Sequence, residues 1–146
     1  MPRAVCKRQR LWYNGIIRKK GAGIMGKELY WKATLRIVDG AGERCFGPGV
    51  AALLEGVEER GSLRAAAISM EMAYSKAWRI LRRAEDAFGC KLLQSTTGGK
   101  TGGGAALTPE GAALLKAYRD YTAAVERCCA EEFTRHFGVF QKEREN

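Results

Sequence analysis

Between Val50 and Gly89 the apolar residues repeat at helical spacing three times, so one short stretch of chain has to hold three short helices. Val50, Leu53, Leu54 and Val57 stand at i, i+3, i+4 and i+7, with a stop at Gly61. Ser62 is a good N-cap for a second helix, in which Leu63, Ala66, Ala67 and Met70 repeat the spacing. A third helix begins near Tyr74. Its pattern predicts that Tyr74, Ala77, Trp78, Leu81, Ala84 and Phe88 are buried, with an end at Gly89.

The flanks read differently. "ELYWKATLRIV", Glu28 to Val38, alternates Leu29, Trp31, Ala33, Leu35 and Ile37 with Tyr30, Lys32, Thr34 and Arg36, which predicts a half-buried strand. "DGAGE" is a turn, Arg44 to Phe46 a short return strand, and Gly47-Pro48-Gly49 breaks the sheet. After the third helix, "KLLQSTTGGKTGGGAAL" sets two short apolar runs about a glycine-rich tip and predicts a hairpin. Thr108-Pro109-Glu110 then combines an N-cap, a proline at N1 and an acid in the first turn. Leu114, Leu115, Tyr118, Val125 and Cys128 continue an apolar stripe that Phe133 and Phe137 extend. A helix unbroken to about Phe137 would be roughly 40 Å long at 1.5 Å per residue, longer than the small domain it serves. Such a helix must find a partner surface or fray.

Two helices joined by "SMEMAYS" and followed by a hairpin are the parts of a winged helix-turn-helix. The expected fold is mainly α with small β: an N-terminal strand pair, the helix-turn-helix, a β-hairpin wing and a long C-terminal helix, which the resemblance given below makes a dimerisation helix. In this motif the second helix enters the major groove, and here that is the third helix of the chain. Its apolar side leaves Ser75, Lys76, Arg79, Arg82 and Arg83 pointing mainly outward. Lys76 and Arg79 are long enough to read base edges, and the Ser75 hydroxyl can bond a base or a phosphate. Arg82 and Arg83 lie later on the helix, where they hold phosphates or surface carboxylates. At the wing, glycines let backbone pass close to a sugar-phosphate chain, and Thr96, Thr97, Lys100 and Thr101 can bond phosphates. Ser62, Arg64 and Tyr74 complete the expected DNA-binding set.

The charge follows this reading. Net charge is +9, and residues 1–24 carry seven basic residues and no acid. The remainder is therefore nearly balanced, yet Arg64 to Lys100 is itself +4. Residues 1–24 have two readings: a flexible arm that follows phosphates, or a translation start placed upstream of Met25. The expected division is this tail, a domain over 25–137 and a C-terminal tail over 138–146. At 146 residues the chain has material for one compact core.

Other chemistries find less support. Gly99-Lys100-Thr101 invites a nucleotide-binding loop, but Gly-x-x-x-x-Gly-Lys-Thr needs glycine where Gln94 stands, and a helix starting at the lysine where three more glycines follow. The five cysteines, Cys6, Cys45, Cys90, Cys128 and Cys129, include no Cys-x-x-Cys pair, so reduced thiols are expected, with no metal and no cofactor. His136 is the only histidine and lies near a polar terminus, so no enzyme activity is expected. With no apolar run of about 18 residues and no secretory signal, a cytoplasmic protein is expected.

From about Lys27 to Arg127 the chain resembles the DNA-binding domain of the ModE family, molybdate-dependent transcriptional regulators related to LysR-type helix-turn-helix domains. The resemblance rests on Phe46-Gly47-Pro48-Gly49, Gly61-Ser62 before Ala65-Ala66-Ala67, the run Met72-Ala73-Tyr74-Ser75-Lys76-Ala77-Trp78, the glycine wing, and Leu107-Thr108-Pro109-Glu110-Gly111. It implies a sequence-specific regulator of transcription that binds a near-palindromic operator on double-stranded DNA. It also implies a homodimer, formed here through the helices at 109–137 and 50–60. Full-length ModE regulators continue into a module that binds molybdate, for which this sequence has no counterpart, so molybdate sensing is not carried over. The alternative function is a sensor of an oxyanion or a soft metal, using the glycine loop or Cys128 and Cys129.

Overall fold

A computed structural model describes residues 29–97 and 104–142, which fall into two compact units. Leu35–Arg119 forms the first; 29–34 and 120–142 belong to the second. The chain order is β1 (Ile37–Val38), β2 (Arg44–Phe46), α1 (Pro48–Arg60), α2 (Leu63–Ser69), α3 (Tyr74–Phe88), β3 (Leu93–Thr96), β4 (Gly104–Leu107) and α4 (Pro109–Lys142).

The core of the first unit is built by the apolar sides of α1, α2 and α3. Leu53, Leu54, Val57, Ala66, Ala77, Leu81 and Ala84 are buried, and Leu92 and Leu115 close it from the wing and from α4. Full burial of each Leu or Val side chain contributes about 1.5–3 kcal/mol. The glycine expected to stop α1 does so: Gly61 takes φ 66° and its N–H bonds the Val57 carbonyl. Ser62 caps α2, its Oγ accepting from Ala65 N at 3.3 Å. At Gly56 an added Cβ would stand 2.8 Å from the Ala66 Cβ, so the absence of a side chain lets α1 and α2 approach.

Both small sheets are antiparallel pairs. In the first, β1 faces β2 with Ile37 opposite Phe46 and an irregularity after it, and Asp39 Oδ1 closes the turn by accepting from Ala41 N and Glu43 N, each at 2.9 Å. The second, the hairpin expected as a wing, runs in register from Leu93↔Leu107 to Thr96↔Gly104. Ala105 N donates to the Gly61 carbonyl at 2.8 Å, which ties β4 to the turn between α1 and α2.

α4 starts on the expected cap. Thr108 Oγ1 accepts from Gly111 N at 2.9 Å and donates to the Lys91 carbonyl at 2.6 Å. Tyr118 is buried, its hydroxyl donating to the Leu35 carbonyl at 2.9 Å and its ring 5.1 Å from that of Phe46. Arg119 bonds Glu55 Oε1 on α1 at 2.8 Å. In the second unit, along residues 120–142 of α4, Phe133 stacks on Phe137 and Phe137 meets Phe140.

Five expectations need correction. The strand expected over Glu28–Val38 is regular only at Ile37–Val38; among the described residues no strand pairs with 29–36. Its alternation survives in exposure, with Trp31, Ala33, Leu35 and Ile37 half-buried between exposed neighbours. α1 begins at Pro48 rather than Val50, because proline is well suited to a first helical turn. Tyr74, Trp78 and Phe88, expected inside, are each more than a third exposed. Cys128, expected in the apolar stripe, is exposed. α4 runs to Lys142, past Phe137, a length of roughly 50 Å at 1.5 Å per residue. The basic tail and the glycine tip with Lys100 and Thr101 lie outside the described residues.

Candidate nucleic-acid interface

The turn between α2 and α3 is tight because one residue leaves ordinary backbone space. Glu71 takes φ 53°, and its N–H and that of Met72 bond the carbonyls of Ile68 and Ala67. This reverses the chain within Met70 to Ala73 and starts α3 at Tyr74. Ala77, Leu81 and Ala84 then lock one side of α3 into the core, which fixes its rotation. Ser75, Lys76, Arg79, Arg82 and Arg83 are consequently exposed, as the spacing requires.

These side chains differ in what they touch. Among the described residues, Lys76 and Arg79 have no ion-pair partner. Arg82 Nη1 lies 3.9 Å from Glu85 Oε2, and Arg83 Nη1 lies 3.9 Å from Glu43 Oε2. Arg79, Arg82 and Arg83 line a shallow concavity together with Asp39, Asp86 and Ala87. Arg64 reaches from α2 to place its guanidinium carbon 5.2 Å from the Tyr74 ring centroid. Ser62 is half-buried with its hydroxyl engaged as a cap, and Thr97 is exposed at the end of β3.

α3 and the wing are joined by one carboxylate. Glu85 is 5% exposed, and it accepts from Lys91 Nζ at 2.8 Å and from Leu92 N at 3.0 Å. Burial on its own raises the carboxyl pKa, but the Lys91 hydrogen bond and charge, with the Leu92 and Leu93 N–H groups, outweigh it and hold the pKa below the ordinary value. Glu85 is absent from the site expected from sequence. Its position one turn after Leu81 was the signal that it faces inward.

Trp78 was also misassigned. Tyr74, Trp78 and Arg82 stand at i, i+4 and i+8 on the edge of the buried side. The Tyr74 and Trp78 rings meet edge to face at 6.4 Å, and the Arg82 guanidinium carbon lies 5.9 Å from the Trp78 ring centroid. The i, i+4 pairing of Trp78 with Arg82 was legible as an aromatic–cation pair.

Comparison with known proteins agrees with this geometry. Residues 51–112 match the family described as bacterial regulatory helix-turn-helix protein, lysR family. The chain is 35% identical over 86 residues to "Molybdenum transport protein ModE" of Herbaspirillum seropedicae, covering 59% of this chain and 30% of that protein. It is 36% identical over 76 residues to "Molybdenum-pterin-binding protein MopB" of Rhodobacter capsulatus, covering 52% and 28%. Against "Transcriptional regulator ModE" of Haemophilus influenzae the figures are 38% over 66 residues, 45% and 26%. The chain thus spans less than a third of the length of each of these relatives.

Proposed function

We propose that this chain, which carries a ModE-type, LysR-like winged helix-turn-helix DNA-binding domain, is a sequence-specific transcriptional regulator that binds a near-palindromic operator as a homodimer. The observation that carries the reading is the orientation of α3: its inner side is locked by Ala77, Leu81 and Ala84, so Ser75, Lys76 and Arg79 face outward near its N-terminal end.

Lys76 and Arg79 read base edges, the arginine suited to bidentate contact with guanine. Ser75 allows close approach to base or phosphate. Arg64, Arg82 and Arg83 bind phosphates, and Thr97, with Lys100 and Thr101 beyond it, extends the phosphate contacts along the wing. Glu43 and Glu85 compete for Arg83 and Arg82 until phosphate replaces them, which lowers the net gain from these two contacts. Such a role needs no catalytic residue, and no helix among the described residues is long and apolar enough to cross a membrane.

The dimer contact falls mainly to α4. α1 spends its apolar face on Leu53, Leu54 and Val57 inside the first unit, whereas residues 120–142 of α4 leave Tyr121, Phe137, Val139 and Phe140 exposed. Two operator half-sites would then be related by the two-fold axis and lie about one helical turn apart.

The test is titration of a bound duplex at several salt concentrations with the unaltered chain and Arg79→Ala. Arg79→Ala is expected to cost about 1–3 kcal/mol and to relax preference at one base pair, whereas Arg83→Ala weakens all duplexes alike. Equal affinity of Arg79→Ala for every duplex the unaltered chain prefers would remove α3 from the reading.

A further inference from the structure

The row Arg64, Tyr74, Trp78 and Arg82 joins both helices of the helix-turn-helix by ring and cation contacts. Arg64 comes from α2 and lies over the Tyr74 ring at 5.2 Å; Tyr74 meets Trp78 edge to face at 6.4 Å and 85°; Arg82 lies over Trp78 at 5.9 Å. Both rings are about two-fifths exposed, at 40% and 41%, although their spacing along α3 suits a core position. Large aromatic surface left in water beside a recognition helix calls for a use.

The geometry points to Tyr74 and Trp78 as positioning residues that hold Arg64 and Arg82 ready for two DNA phosphates, one guanidinium on each helix of the pair. A guanidinium held over a ring by a cation–π contact leaves N–H donors available for bidentate contact with phosphate oxygens. A free arginine loses rotamer freedom when it binds; one already held against a ring loses less, so the same contact binds more tightly. Glu85, 3.9 Å from Arg82, holds that guanidinium from the other side while no phosphate is present. Tyr74 and Trp78 thus orient the two cations without adding charge of their own.

This inference rests on the reading of α3 as the recognition helix, and the experiment separates the two. Affinity of the full chain for one selected duplex is measured for Arg82→Ala, Trp78→Leu, Trp78→Phe and each double variant with Arg82→Ala. Trp78→Leu keeps apolar bulk without a π face, and Trp78→Phe keeps a face, so both guard against loss of fold, which thermal melting monitors. Arg82→Ala is expected to weaken binding about three- to tenfold and to flatten the salt slope by about one. Trp78→Leu is expected to weaken binding severalfold alone and by less than about twofold in the Arg82→Ala background, with Trp78→Phe close to the unaltered chain. Arg64→Ala and Tyr74→Leu form the second cycle, with the same expectation.

If the Trp78 and Arg82 effects multiply, or if Trp78→Leu binds like the unaltered chain, the positioning role is overturned while DNA binding stands. If the unaltered chain binds no duplex, the reading of α3 fails and the positioning role with it.

Discussion

At Glu71 the backbone occupies the left-handed region with a side chain that does not favour it, φ 53°. That conformation costs about 1–2 kcal/mol for a residue with a Cβ, part of which glycine recovers before its larger unfolded-state freedom is charged against it. Glu71→Gly is therefore expected to raise unfolding free energy by about 0.5–1 kcal/mol in denaturant titration, with the turn intact. The sequence offered no glycine or asparagine there, so the turn was legible from the spacing of its helices and its strained residue was not. Ser62 and Gly61 were legible because their chemistry matches a cap and a stop in any context. Glu85 was legible only in part, since its place one turn after Leu81 turns it inward but nothing local announces that it will meet Lys91 and the Leu92 N–H. Its folded pKa lies below the ordinary value of 4.5, so its stabilising contribution is present above that pH and is lost as pH falls through the folded value. Glu85→Gln is expected to lower stability at about pH 7 and to close the gap with the unaltered chain as pH drops below about 4.5, read from denaturant midpoints across pH.

Elements were legible where the period and the caps agreed. α2, α3 and the paired strands of the wing formed where their spacing put them, α1 started two residues early, and Thr108-Pro109-Glu110 opened α4. The strand over Glu28–Val38 failed for a physical reason. Alternation reports which way side chains face, but a strand also needs a hydrogen-bonded neighbour, and β2 has only three residues to offer. The contact between α1 and α2 was equally hidden, because it depends on Gly56 in mid-helix meeting Ala66. Gly56→Ala improves helix propensity by about 1 kcal/mol but overpacks that contact by about 1–3 kcal/mol. A net loss is expected, seen as a lower melting temperature despite a better helix former. Thr108→Ala removes the α4 cap and its bond to Lys91 O together, and is expected to cost about 1–2 kcal/mol in the same measurement.

For the whole molecule, two features bear on function, the charged side of α3 and the exposed apolar residues of α4. The first was largely legible, since Ala77, Leu81 and Ala84 fix which residues of α3 face outward, and only Tyr74, Trp78 and Phe88 were placed on the wrong side. The second was legible as a helix too long for its own domain, although its end lies beyond Phe137. If α4 joins two copies, Phe137→Glu is expected to shift the chain toward monomer in sedimentation and to weaken operator binding by at least tenfold, because a single half-site forfeits the linked second contact. Loss of the dimer with unchanged affinity would separate assembly from recognition. The most direct test of the central claim is selection of bound duplexes from a randomised pool by the full chain, with the mass of the complex measured on the winner. One enriched motif is predicted, with two symmetric half-sites about one helical turn apart and two chains per duplex; a pool that enriches nothing would contradict it.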